Sequence, residues 1–265
     1  MGIIEIIKKG FVETAKLINV VLVFFVFNAV IGLISLPLSN PEKAGNPGTV
    51  LVSVLFSILF FLAFILLQGG ALGIIKDKIK TGAVNLSRFV DYGKQFYVRI
   101  LSLLLLYVLL AIGAVLLLSL VSAGILLLGD NIITRTLVAL AVTAAAVTII
   151  TYLVYPIYII VGEDMAALAA FKKGIAVAKV NFTRTLGLFM SMLLVSLVIS
   201  LGVGFLVGIV TMPLPVGFSQ VIVAIANAGV QSYISIVMMV VFMSFYFSLD
   251  SGTLGKGEGT PRMGE

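Results

Sequence analysis

Six long apolar stretches, joined by connections of unequal length, constrain this chain more than any other feature of its sequence. A helix needs about 20 apolar residues to cross a hydrocarbon core of about 30 Å. Stretches of that length lie near 17–36, 49–75, 100–128, 136–161, 185–211 and 219–249. Charged residues make up only 11% of the chain, far below the share in soluble proteins. The sequence therefore predicts an all-α, polytopic membrane protein with six transmembrane helices.

Nearly all basic residues lie in the two termini and in alternate connections between the spans. Of the 17 Lys and Arg residues, all but Lys43 and Arg135 precede the first span, lie between spans two and three or four and five, or follow the last. The positive-inside rule predicts that these segments and both termini are cytoplasmic, in a multi-pass protein of the cell membrane. The basic excess then indicates contact with anionic lipid head groups rather than nucleic acid. The lysines expected at the head groups are Lys8, Lys9, Lys172, Lys173 and Lys179.

Mixed apolar and basic segments precede the first, third and fifth spans, at 1–16, 86–99 and 164–183. Their helical spacing of apolar residues predicts three amphipathic helices at the cytoplasmic interface. Asp164 is a candidate N-cap of the third. Gly10, Gly93 and Gly174 recur about 80 residues apart within these segments. This spacing indicates a threefold parallel repeat of one interfacial helix and one transmembrane hairpin, although chance similarity between apolar sequences is the alternative.

The span pattern predicts one transmembrane domain over residues 1–249. Residues 250–265 are rich in Gly and polar side chains, a composition typical of a disordered tail. We expect this tail to be cytoplasmic.

Uncharged polar side chains are the candidate binding residues within the spans. No Asp, Glu, Lys or Arg lies in the middle of a span, which argues against a proton-driven pump or transporter. The polar candidates either line a shared pathway or form hydrogen bonds between helices, worth about 0.6 kcal/mol each. These candidates are Asn28, Gln68, Asn227, Gln231 and Ser235.

The remaining chemistry is sparse. The chain has no Cys and no His, which excludes thiolate and imidazole metal sites and His general bases. Glu163 and Asp164 form a candidate acidic site at the membrane surface, but adjacent helical residues do not face each other, so we predict no metal and no cofactor. Tyr152, Tyr155 and Tyr158 suggest an aromatic belt. In the fifth span, Gly204 and Gly208 predict close helix packing.

The segment "YPIYIIVGEDMAALAAFKKGIAVAKVNFTRTLGLFM" and the later "FMSFYFSLDSG" resemble six-helix proteins related to the membrane domain of glycerophosphodiester phosphodiesterases. Those proteins share a Pro near the end of span four, an acidic turn, an Ala- and Lys-rich helix and a final Asp, here Asp250. The resemblance implies a membrane module that is sometimes attached to a lipid-headgroup hydrolase. Gly174 and Ile175 depart from the pattern, which often has Ser followed by an aromatic residue.

These observations predict a protein without enzymatic activity, either a membrane scaffold or a lipid-interacting module. Its partners would be membrane lipids and another membrane or lipid-metabolism protein, not nucleic acid. A facilitator or exporter of an apolar or amphipathic small molecule is the first alternative. A membrane-embedded lipid enzyme is the second, and it would need Glu163 and Asp164 to converge with Asp91 or Asp250.

Overall fold

The computed structural model describes residues 2–38, 46–127, 129 and 131–254, and it contains no strand in that part of the chain. The helices are α1 (Ile3–Ala15), α2 (Ile18–Leu38), α3 (Pro47–Thr81), α4 (Phe89–Leu126), α5 (Ile132–Leu153), α6 (Pro156–Glu163), α7 (Ala167–Val180), α8 (Phe182–Thr211) and α9 (Val216–Leu254), and a 3-10 turn at Leu86–Arg88 precedes α4.

The prediction of an all-α protein with six transmembrane helices is confirmed. Six stretches are long and apolar enough to cross a membrane, namely Ile18–Pro37, Pro47–Thr81, Leu86–Ile125, Ile132–Glu163, Phe182–Thr211 and Val216–Leu249. The fourth consists of α5 and α6 and is interrupted just before Pro156. Proline has no N–H and its ring clashes with the carbonyl four residues earlier, so it cannot continue a regular helix.

Local sequence explains where α3 begins and ends. The Asn46 side chain accepts a hydrogen bond from the backbone nitrogen of Gly48 at 2.9 Å, and Pro47 occupies the first helical turn. Both features suit a helix N-terminus. At the other end Gly82 adopts φ 76°, and its N–H bonds to the carbonyl of Lys78. Glycine takes this left-handed conformation at little cost and so ends the helix.

The chain forms two compact units. Unit 1 comprises Met1–Gln95 and Met190–Glu265, and unit 2 comprises Phe96–Phe189. The boundaries fall inside α4 and α8. The predicted single domain over residues 1–249 stays a prediction, and each unit is described by itself.

In unit 1, α9 is the central helix. It packs against α1, α2 and α3. Within its most apolar window 61% of the residues are buried, against 17% for α2 and 6% for α3. α1 lies on α9 with a narrow buried face of Ile6, Gly10 and Thr14.

In unit 2, α7 packs against α5 and α6. It buries Ala170, Gly174 and Ala178, which lie one helical turn apart. Tyr107 donates a hydrogen bond from its hydroxyl to the carbonyl of Leu153 at 2.7 Å. This bond satisfies a carbonyl that is left free where α5 ends.

The three spaced glycines each lie against a span. A Cβ added to Gly93 would lie 2.7 Å from the carbonyl oxygen of Leu66, and one added to Gly174 would lie 2.6 Å from Cδ of Pro156. At Gly10 a Cβ would overlap the side chain of Val241. Gly93 and Gly174 therefore contact the second span of the preceding hairpin, and Gly10 contacts the last span. The threefold repeat itself stays a prediction.

Several details differ from the sequence-based expectations. Only the first and third interfacial segments form separate helices, because residues from Phe89 onward continue into α4 without a break. A Cβ added to Gly204 or Gly208 would meet nothing within 4 Å among the described residues, so this pair makes no close helix contact there. α9 continues to Leu254, while residues 255–265 of the predicted tail, like Lys43, lie outside the described residues.

Candidate functional site

Unit 1 contains an open cleft of about 970 Å³ between α2, α3 and α9. Ligand pockets in proteins are typically about 300–1,000 Å³, so the volume of this cleft lies within the range of small-molecule sites. The lining positions recur every three or four residues, which places one face of each helix toward the cleft. From α2 these include Phe27, Asn28, Ile31 and Ser35, from α3 Ser53, Phe56, Ser57, Phe60 and Phe64, and from α9 Ser219, Gln220, Val223, Asn227 and Gln231.

One wall of the cleft is built of phenylalanines. The ring of Phe27 lies edge-on to Phe60 with centroids 6.0 Å apart, and it stacks on Phe64 at 6.4 Å. Phe56 stacks on Phe60 at 5.9 Å. Such ring pairs add modest stability beyond the apolar area they bury. This wall offers an apolar surface to an aliphatic chain.

The polar part of the cleft is uncharged. Asn28 lies near the middle of α2 and donates a hydrogen bond from its amide nitrogen to the hydroxyl of Ser232 at 2.8 Å. Ser232, which is buried, donates in turn to the carbonyl of Ala228 at 2.6 Å. Ser53 and Ser57 donate to carbonyls of their own helix. The serine donors are therefore occupied within the protein, whereas Asn28 keeps a second N–H donor, and oxygen lone pairs remain as acceptors.

The side-chain amides of α9 are different. Gln220, Asn227 and Gln231 have no hydrogen-bond partner among the described residues, and Asn227 and Gln231 are exposed. An unpaired amide at membrane depth is costly because lipid tails cannot form hydrogen bonds. These amides are thus the groups that a ligand or water would satisfy.

A second, smaller cleft of about 350 Å³ adjoins the same amides. It is lined by Ser196, Ser200, Asn227, Val230, Gln231, Ile234 and Ser235. Five of these seven side chains are polar. Asn227 and Gln231 line both clefts, because they lie four residues apart on one face of α9.

Four of the five polar candidates therefore line the two clefts. Asn28, Asn227 and Gln231 share the large cleft, and Ser235 lies in the small one. Gln68 lines neither, being one turn beyond Phe64 along α3. Sequence reasoning missed the phenylalanine wall, because Phe in a transmembrane run gives no sign of whether it faces lipid or protein.

The acidic candidates are in ion pairs. In unit 2 Glu163 binds the Lys173 ammonium through both carboxylate oxygens, at 2.6 and 2.7 Å. Arg99 donates to a carboxylate oxygen of Asp164 at 2.5 Å and to its backbone carbonyl at 3.0 Å. The prediction that Asp164 caps α7 is wrong. Asp164 instead ends α6 in the left-handed conformation, at φ 57°, and the N-cap of α7 is Ala166.

Two of the three tyrosines near Pro156 do not belong to a lipid-facing belt. Tyr155 and Tyr158 are buried in unit 2, and the Tyr155 hydroxyl lies 2.5 Å from the hydroxyl of Thr185. Thr185 already donates to the carbonyl of Asn181, so Tyr155 is the donor in this bond. These side chains therefore hold α6 and the start of α8 together.

The lysines expected at lipid head groups divide into two groups. Lys8 and Lys9 on α1 are exposed, as are Lys172 and Lys179 on α7, and none of these four has an acidic partner within the described residues. Lys173 is held by Glu163 and is not available in the same way. Within the part of the chain that the structure describes, no cluster of three or more acidic side chains could hold a metal ion.

These features define a multi-pass integral membrane protein with six apolar helices and an uncharged cleft in unit 1. The chain belongs to the family described as a domain of unknown function, DUF7847, whose model matches residues 5–249. No curated protein and no solved structure matches it. The comparisons give no support to a relation with glycerophosphodiester phosphodiesterases.

Proposed function

We propose that this protein is a lipid-interacting module of the cell membrane, without catalytic activity, that binds an amphipathic molecule in the large cleft of unit 1. The cleft itself is the observation that carries the proposal. Its phenylalanine wall suits an apolar chain, and its unpaired amides suit a polar group. A scaffold acting only through partner proteins would need no such cleft at membrane depth.

The exposed lysines support contact with anionic lipids at the membrane surface. On α1, Lys8 and Lys9 lie beside the exposed apolar residues Ile4 and Val12. A helix with this arrangement lies in the interface, with its apolar side chains in the acyl region and its basic ones at the head groups. The positive-inside rule then orients both termini toward the cytoplasm.

The ion pairs at Glu163 and Asp164 favour a role without catalysis. A general acid or base needs a carboxylate free to exchange a proton, whereas each of these two is bound to a basic side chain. If the protein serves a lipid-metabolising enzyme, as the resemblance in its fourth and fifth spans suggests, it does so as a partner.

Facilitated passage of a small amphiphile is the second candidate. It is favoured by the common placement of Asn28, Asn227 and Gln231 in one cleft. A protein that only binds the amphiphile does not increase its flux across the membrane, whereas a facilitator does. Proteoliposomes loaded with a fluorescent amphiphile would release it faster than protein-free vesicles only if the protein facilitates passage.

Lipids that co-purify with the protein in mild detergent test the binding proposal. Native mass spectrometry should show a bound molecule in the wild type that is lost from Asn227→Leu/Gln231→Leu. Gln68→Leu is the matched control, because it makes the same amide-to-aliphatic change outside both clefts. Equal, non-selective lipid binding in all three proteins would refute a specific site.

The proposed orientation has its own test. The chain has no Cys, so single cysteines can be introduced without removing others. In intact cells a membrane-impermeant maleimide should label Arg135→Cys but not Lys9→Cys. The reverse pattern would place the termini outside.

A further inference from the structure

The two clefts differ in polarity and meet at the same pair of amides. The large cleft is lined mainly by phenylalanines and aliphatic side chains, and the small one mainly by serines and amides. Asn227 and Gln231 belong to both. A bound amphiphile would therefore have its apolar and polar parts on either side of these two residues.

Neither cleft contains a charged side chain. A phosphate or carboxylate moved from water to a site of low dielectric constant loses most of its hydration, and only a paired cation can compensate. Among the described residues no basic side chain lines either cleft, and α2 and residues 216–249 of α9 contain no Lys or Arg. An anionic head group therefore has no counterion among the described residues of this site.

The amides present the complementary chemistry. Each carboxamide carries two N–H donors and one carbonyl acceptor. Asn227 and Gln231 are stacked one turn apart, and neither has a partner among the described residues. Ser196, Ser200 and Ser235 surround them with hydroxyl groups. Such a site matches a head group with hydroxyl, ester or amide groups and no charge.

We infer that the ligand is a neutral amphiphile whose uncharged, hydrogen-bonding head group lies between α8 and α9 while its aliphatic chain runs along the phenylalanine wall between α2, α3 and α9. This inference rests on the proposed function and adds the charge and orientation of the ligand. Asn227 and Gln231 are the residues that recognise the head group.

Photoaffinity labelling tests the inference in nanodiscs of phosphatidylcholine. Three probes carry the same diazirine-bearing acyl chain and differ in the head group, namely diacylglycerol, ceramide and phosphatidic acid. We expect saturable labelling of peptides from α2, α3 or α9 by at least one neutral probe, about tenfold above that by phosphatidic acid, since an unpaired buried charge weakens binding by at least this factor.

Variants connect the labelling to the amides. Asn227→Leu/Gln231→Leu should reduce neutral-probe labelling about tenfold, the effect of losing two hydrogen bonds of ordinary strength. Gln68→Leu should leave it unchanged. Gln231→Arg supplies the missing cation and should raise labelling by phosphatidic acid.

The outcomes separate the two proposals. Saturable cleft labelling in which phosphatidic acid equals or exceeds both neutral probes would overturn the inference and leave the binding function standing. Absence of saturable labelling by all three probes would overturn both. Unchanged neutral-probe labelling in the double variant would overturn the role given to Asn227 and Gln231.

Discussion

The contact between Gly174 and Pro156 gives the sharpest prediction for the fold. A Cβ at position 174 would lie 2.6 Å from Cγ and Cδ of Pro156 and 2.9 Å from its nitrogen. Carbon atoms in contact normally lie about 3.5–4.0 Å apart. The proline ring is fixed to the backbone and cannot rotate away, so Gly174→Ala requires α7 to move by about 1 Å.

That movement sets the size of the effect. Overpacking of this kind costs about 1–3 kcal/mol. We expect the upper part of this range, because Ala170 and Ala178 flank Gly174 on the same buried face and would lose contact as well. Replacing glycine in a helix by alanine also stabilises the helix by about 1 kcal/mol, which offsets part of the cost of overpacking. Gly174→Ala should therefore destabilise the protein by about 1–2 kcal/mol net.

Gly204→Ala is the matched control, because a Cβ there meets nothing within 4 Å among the described residues. It should be neutral or stabilising by up to about 1 kcal/mol. The assay is heating in mild detergent followed by size exclusion, since the chain has neither Trp nor Cys for intrinsic fluorescence or thiol dyes.

Gly174→Ala should lower the midpoint temperature of thermal unfolding by about 2–8 °C. Equal midpoints for the two variants would refute the close-contact argument. The same reasoning predicts a loss of stability for Gly93→Ala, because the nearest atom there is the backbone carbonyl oxygen of Leu66 at 2.7 Å.

Two further predictions concern polar contacts in unit 2. Thr185→Ala and Tyr155→Phe each remove the buried hydrogen bond between the two hydroxyls and should each cost about 0.5–1.5 kcal/mol; the same heating assay measures both, and an unchanged midpoint for either variant would contradict this estimate. Lys173→Met removes the ion pair with Glu163 and should lower the midpoint of thermal unfolding measurably, whereas Lys172→Met at its exposed neighbour should not; equal midpoints would show that the ion pair contributes no stability.

The number and position of the spans could be predicted from sequence because bilayer thickness and backbone hydrogen bonding leave few alternatives. A run such as 185–211 has no other stable conformation in lipid than a helix. The ends of the helices are harder to predict, since they depend on single residues. Asp164 is an example. An acidic residue before a helix suggests an N-cap, but the Asp164 side chain instead contacts Arg99, which lies 65 positions away in sequence.

The candidate site could be predicted in part. The spacing of Asn227, Gln231 and Ser235 indicates one polar helix face, and the structure places all three along two clefts. The phenylalanine wall could not be predicted, because the same apolar residue is favourable against lipid and against protein. The same ambiguity applies to Tyr155, which is buried, since an amphipathic ring near a span end suits both the interface and a buried hydrogen bond.

The position of the clefts is related to how much of each span is buried against other helices. Among the six described spans, the last has the lowest mean hydropathy, and its most apolar stretch has the largest buried share. The buried residues of this span lie mainly between Ala228 and Tyr246. Asn227 and Gln231 are exposed at the edge of that region, where the two clefts open, so a ligand or water can satisfy amides that lipid tails could not.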